Sequence, residues 1–299
     1  YGLIHDAYGA YYPAIMSLGA AVFYILHVLM FLKKKLADRP MLVTLVALAG
    51  VFTTWTLPLV FEKESLTIAL SLVALMFLWI GRRLNSNVVQ TLGHIVYCII
   101  FFRLVAWDLP GNFRHLPGAD ASMADYWKGM LDRLWTFGVS IASIVGAFLI
   151  QKKKVPVVEK LAVVEESEIR TEWLGGVFTS VFFWFAIIFA FIFCHLEFNA
   201  MFAYYQPLRM PVLTALWCGM AVYFLVRHMT DETPSPAFFA AMLIFTLGAV
   251  VKLFAIDLNT WHFHHGFIYD MEYTALYSGM RFLDFGMVIG ILCLIWALF

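Results

Sequence analysis

The ionisable side chains best placed to do chemistry fall in a pattern that occurs twice. Phe102 to Asn112 reads FRLVAWDLPGN, and Val251 to Trp261, 149 positions later, reads VKLFAIDLNTW. In each copy a basic residue, Arg103 or Lys252, sits inside an apolar run, and an Asp-Leu pair follows with its aspartate, Asp108 or Asp257, five positions on. Further along, Arg133-Leu-Trp-Thr-Phe-Gly138 is answered by Arg281-Phe-Leu-Asp-Phe-Gly286. Asp to Arg spans 25 residues in one copy and 24 in the other, so an internal duplication is the simplest explanation. Charges placed in an apolar phase are costly and need partners, which makes each a functional hypothesis. On an α-helix five positions correspond to about 140° of rotation, so neither Arg103 nor Lys252 is expected to face the aspartate that follows it. A Lys252–Asp284 pair is the simplest expectation, while Thr136 holds the matching position in the first copy and leaves Arg103 to another acceptor. Asp108 with Arg133, and Asp257 with Arg281, are expected to pair at the outer surface. These groups act either as clamps between helices or as a polar pathway made asymmetric where Asp284 replaces Thr136.

Histidines supply two further candidates. His262, His264 and His265 lie in the segment WHFHHGFIYD, where alternation places His262 and His264 on one side as zinc or copper ligands. Asp270, Glu272, His195 and Glu197 are further donors. The bland alternative is an aromatic interfacial loop. His27 and His94 sit within apolar runs at similar depth and are candidate axial ligands for a b-type haem, or interhelical hydrogen-bonding groups. The four cysteines, Cys98, Cys194, Cys218 and Cys293, lie inside apolar runs without metal-site spacing and are expected to be packed thiols. The chain has no Gly-rich phosphate loop, nucleophile elbow or HExxH motif, so a non-enzyme is expected and no cofactor is required.

The elements that must position these residues follow from composition. With 63% hydrophobic and 13% charged residues and a mean hydropathy of +0.83, the chain is far more apolar than a soluble domain. A spanning helix needs about twenty apolar residues. Runs near 13–32, 41–61, 66–81, 88–107, 134–151, 174–195, 211–226, 238–256 and 281–299 meet or approach that length, the third and seventh being the shortest. The expectation is an all-α integral membrane protein of about nine transmembrane helices: an N-terminal helix over 1–40, a four-helix repeat over 41–154, a cytoplasmic linker over 155–173 and a second four-helix repeat over 174–299. Units with an even number of spans insert in the same sense, which makes the repeats parallel.

Basic residues set orientation. Lys33, Lys34, Lys35, Arg39, Arg82, Arg83, Lys152, Lys153, Lys154, Lys160, Arg170 and Arg227 all fall in alternate loops, so those loops are expected inside and the N-terminus outside, with the C-terminus inside. Formal net charge is zero, which gives nothing to attract nucleic acid. The partner implied is the lipid bilayer, with other membrane subunits as a further class. The chain starts at Tyr1 and ends at Phe299 in mid-run, as a piece of a longer polypeptide would.

A short basic turn, an apolar helix ending in Lys/Arg-x4-Asp-Leu, a loop, and Arg-x3-Phe-Gly recur from Arg82 to Gly138 and from Arg227 to Gly286. In this the chain is similar to a large bacterial family of polytopic inner-membrane proteins known only as a domain of unknown function. That resemblance covers most of Met41 to Phe299 and implies a helical fold in the bacterial cytoplasmic membrane without supplying an activity. Three functions stay open: a transporter or channel-like protein for a small or lipid-linked solute, a non-catalytic scaffold or accessory subunit of an envelope complex, and a haem- or metal-binding redox subunit.

Overall fold

A computed structural model describes residues 11–34, 38–61, 63–114, 123–152, 166–231, 235–258 and 274–298. Among the described residues the chain is helical and contains no strand. In order the helices are α1 (Tyr11–Lys33), α2 (Arg39–Val60), α3 (Lys63–Arg83), α4 (Asn87–Arg103), the short α5 (Leu109–Phe113), α6 (Met123–Lys152), α7 (Glu166–Met201), α8 (Gln206–Thr230), α9 (Pro236–Lys252) and α10 (Ala275–Leu298). Two π-helical turns, Leu104–Asp108 and Leu253–Asp257, extend α4 and α9.

Nine helices among the described residues are long and apolar enough to cross a membrane. The runs that looked short in the sequence are not. Ser65–Arg83 and Gln206–Thr230 provide 19 and 25 residues, because polar residues at the ends of these runs continue the helix. Between the fourth and fifth apolar runs the chain is likewise partly helical, since α5 and the first turns of α6 lie there. The linker expected over 155–173 gives way to helix at Glu166.

Local chemistry explains where several helices start and turn. Asp38 accepts from the Met41 amide with Pro40 in the first turn, Ser86 accepts from Val89, and Ser235 accepts from Ala237 ahead of α9. Between α3 and α4 the chain reverses in three residues. Asn85 takes a left-handed φ of 48°, the Ser86 amide donates to the Gly81 carbonyl at 2.8 Å, and the Asn85 amide donates to that of Arg82 at 3.1 Å. This brings α3 and α4 into close antiparallel contact. A Cβ on Gly93 would stand 2.9 Å from the Leu78 side chain, so the approach of α4 to α3 depends on glycine there.

The chain divides into two compact units, 1–116 with 127–190 and 117–126 with 191–299, with one division falling within α7. In the first, α1 packs on α2, and α2 on the α3–α4 hairpin. In the second, α8 packs on both α9 and α10. The outward faces are apolar to a degree that water would not tolerate: Trp135 is 67% exposed, Phe282 81% and Trp296 86%. In hydrocarbon such a face costs nothing, and the helices satisfy their own backbone groups. Polar side chains are concentrated inside instead, among them Thr67, Ser71, Ser140, Ser143, Thr214, Lys252, Asp257 and Asp284.

Candidate functional site

The π turns decide how the charged residues meet. At Leu104 and Leu253 the backbone bonds reach five residues ahead: the Leu109 amide donates to the Leu104 carbonyl, and the Leu258 amide to the Leu253 carbonyl. An i→i+5 turn takes one more residue than an α turn, which carries positions five apart round to one side of the helix. Arg103 therefore does face Asp108, and Lys252 does face Asp257, against the expectation from α-helical rotation. Both aspartates are buried, at 7% and 0% exposure, rather than at an exposed corner.

In the first unit, Arg103 Nε donates to Thr67 Oγ1 at 2.6 Å, and Thr67 Oγ1 donates to Asp108 Oδ2 at 2.6 Å. Arg103 Nε lies 3.7 Å from Asp108 Oδ1, so the hydroxyl of α3 bridges the ion pair built on α4 and its π turn. Asn112 on α5 donates to the Asp108 carbonyl at 3.0 Å. From Thr67 a seam of hydroxyls leads along the α3, α4 and α6 contact. Ser71 Oγ lies 2.8 Å from the Thr67 carbonyl and 3.2 Å from Ser140 Oγ, Ser143 donates to the Ser71 carbonyl at 2.7 Å, and the Tyr97 hydroxyl meets Ser143 Oγ at 2.7 Å. Thr136, the counterpart of Asp284, turns its hydroxyl back on the Asp132 carbonyl at 3.1 Å. Arg133 is buried and its guanidinium stands 5.5 Å over the Phe113 ring.

The second unit builds the same triad with a lysine. Lys252 Nζ donates to Asp257 Oδ2 at 2.5 Å, to Thr214 Oγ1 at 2.7 Å and to the Met210 carbonyl at 3.2 Å. Three bonds use all three ammonium hydrogens. The expected Lys252–Asp284 pair is therefore not formed, because Asp257 has taken the place that Asp284 was to fill. Asp284 instead lies beside Asp257, near enough for the two carboxyl groups to interact directly, and is 2% exposed. Thr67 and Thr214 were missed in the sequence. The signal was present in TIALS and TALWC, where each threonine begins a Thr-x3-Ser or Thr-x3-Cys pair on the helix before the charged one.

Beside the first triad lies a cavity of about 1070 Å³, bounded by α2, α3, α4, the first π turn and α5. Its walls are apolar, with Val51, Leu70, Phe77, Leu92, Ile95 and Ile99 among them, and Arg103, Asp108 and Asn112 stand at one end with Trp107. From Leu92 to Asp108 the cavity follows α4 for roughly 24 Å at about 1.5 Å per residue, most of the thickness of a bilayer core.

The remaining candidates are dispersed. His94 accepts from Gln151 Nε2 at 2.6 Å and stacks on Phe178 with ring centroids 3.8 Å apart, which fits an interhelical hydrogen-bonding histidine. The His27 ring lies on Phe23, and its Nδ1 is 2.8 Å from the Phe23 carbonyl. The two histidines thus have separate partners. His262, His264 and His265 lie outside the described residues, and no group of three metal-ligating side chains occurs among those that are described. His195 sits near Lys252, and Glu197, buried, accepts from the Tyr126 hydroxyl at 3.0 Å. No family model matches the chain, and no curated protein or solved structure matches it either.

Proposed function

We propose that the protein is a multi-pass transporter of the bacterial cytoplasmic membrane that moves an amphipathic, lipid-linked solute. The observation that carries this reading is the cavity of about 1070 Å³, apolar along its length and polar at one end. Its volume lies just above the range of roughly 300–1,000 Å³ typical of ligand sites. An acyl or prenyl chain fits the apolar trough, and a polar head group fits the end formed by Arg103, Asp108 and Asn112. On this reading the helices over 41–154 and 174–299 are parallel repeats with α1 as an extra helix. The occurrence of one basic–threonine–aspartate triad at a π turn in each half supports the duplication. The placement of basic residues puts the N-terminus outside and the C-terminus inside, with the triads toward the outer surface.

Photolabelling tests the binding site. A fatty acid bearing a diazirine, activated with the protein in lipid nanodiscs, is expected to mark peptides from Leu92–Asn112 several-fold above lipid-facing peptides of α10, and Arg103→Ala is expected to abolish that excess. Uniform labelling of all apolar helices, unchanged by Arg103→Ala, contradicts the site and favours a non-catalytic scaffold.

A further inference from the structure

Among its described residues the second unit buries more negative than positive charge. Lys252, Asp257 and Asp284 are 5%, 0% and 2% exposed, which sets two carboxyl groups against one ammonium. Lys252 has no hydrogen left for Asp284, since its three are given to Asp257, Thr214 and the Met210 carbonyl. Asp284 Oδ1 meets no hydrogen-bond donor among the described residues, although the side chain is turned toward Asp257. Two ionised carboxylates side by side in a low dielectric repel strongly, and sharing one proton removes the repulsion while making a hydrogen bond. The first unit has no equivalent, because Thr136 stands where Asp284 does and its triad is already balanced.

We infer that Asp257 and Asp284 together form a binding site for one exchangeable proton, held between their carboxyl groups and bounded by Lys252. The proton bridges the two carboxyl oxygens, and its release leaves a second negative charge beside the one that Lys252 already meets. Among the described residues, four helices contribute groups to the surroundings of the pair. α9 and its π turn bring Lys252, α8 brings Cys218 and Thr214, α7 brings His195, and α10 brings Arg281 one turn before Asp284. The inference concerns proton occupancy and stands whether or not the chain moves a lipid-linked solute. If it does, this pair is the place where solute movement is coupled to a proton.

Infrared difference spectroscopy of the purified full chain in nanodiscs, stepped through pH, reads the site directly. A protonated-carboxyl band sensitive to deuterium exchange is expected, losing one carboxyl equivalent in Asp284→Asn and in Asp257→Asn. Asp284→Asn is expected to fold, because asparagine supplies the hydrogen that the shared proton supplies. Spectra of wild type and Asp284→Asn that differ by no protonated carboxyl at any pH overturn the inference. So does the loss of the wild-type band on adding Na⁺ at constant pH, which assigns the site to a metal cation. If Asp284→Asn does not fold, a charged group is required at that position and the inference also fails, whereas a folded Asp257→Asn with the band reduced by one equivalent supports it.

Discussion

Thr67 and Thr214 are the residues on which the two ion pairs depend, because each places a hydroxyl between helices that would otherwise meet as a charge against an apolar wall. Thr67 accepts from Arg103 and donates to Asp108, so Thr67→Val removes two bonds in one substitution. Thermal unfolding in detergent is expected to show a loss of about 2–4 kcal/mol, against less than about 0.5 kcal/mol for Thr44→Val at an exposed helical site. Lys252→Met removes the ammonium that Asp257 accepts from and is expected to cost about 3–5 kcal/mol, with much of it recovered in Lys252→Met combined with Asp257→Leu. A double-mutant cycle that shows no coupling between positions 252 and 257 contradicts the ion pair. Arg103, Asp108, Lys252, Asp257 and Asp284 were all visible in the sequence, since ionisable groups in an apolar run stand out. The threonines and the serines 71, 140 and 143 were not, because a hydroxyl in an apolar helix usually closes on its own carbonyl one turn back, as Thr53 and Thr246 do.

The π turns are the elements that make the pairs possible, and they explain the main error of reading the sequence with a fixed helical period. On an α-helix the spacing Arg-x4-Asp is useless for pairing; recurring in both halves, it is itself a sign that the backbone between is not α-helical. Inserting an alanine after Ala255 sets Asp257 six positions from Lys252 and carries it about 100° further round the helix, whereas a deletion leaves the two four apart on one face. The insertion is expected to destabilise the protein more than Lys252→Met does, since it also displaces Leu258 and the chain beyond it. An insertion variant as stable as wild type contradicts a structural role for the turn. Helix positions were legible because runs of about twenty apolar residues have few other uses. Their ends were not, because Asp38, Ser86 and Ser235 act through caps, and because polar residues such as Tyr126 and Gln206 continue a helix beyond its apolar stretch.

For the molecule in its membrane, orientation follows from charge and is open to direct test. Ser122→Cys in a background without Cys98, Cys194, Cys218 and Cys293 is expected to react with an impermeant maleimide added to intact cells from the periplasmic side. Reaction only after the inner face is exposed reverses the proposed topology. A polar end on an apolar cavity, and a cluster of two acids with one base, are the features on which the proposed movement of an amphiphile and its coupling to a proton rest. The most direct measurement is translocation of a fluorescent phospholipid in proteoliposomes, read by how fast a membrane-impermeant reductant quenches the inner-leaflet pool. Wild-type protein is expected to raise the rate at least several-fold above protein-free liposomes, with Arg103→Ala returning it to that baseline while the protein stays folded. A rate equal to that of protein-free liposomes with folded, correctly inserted wild-type protein contradicts transport of a lipid-linked solute.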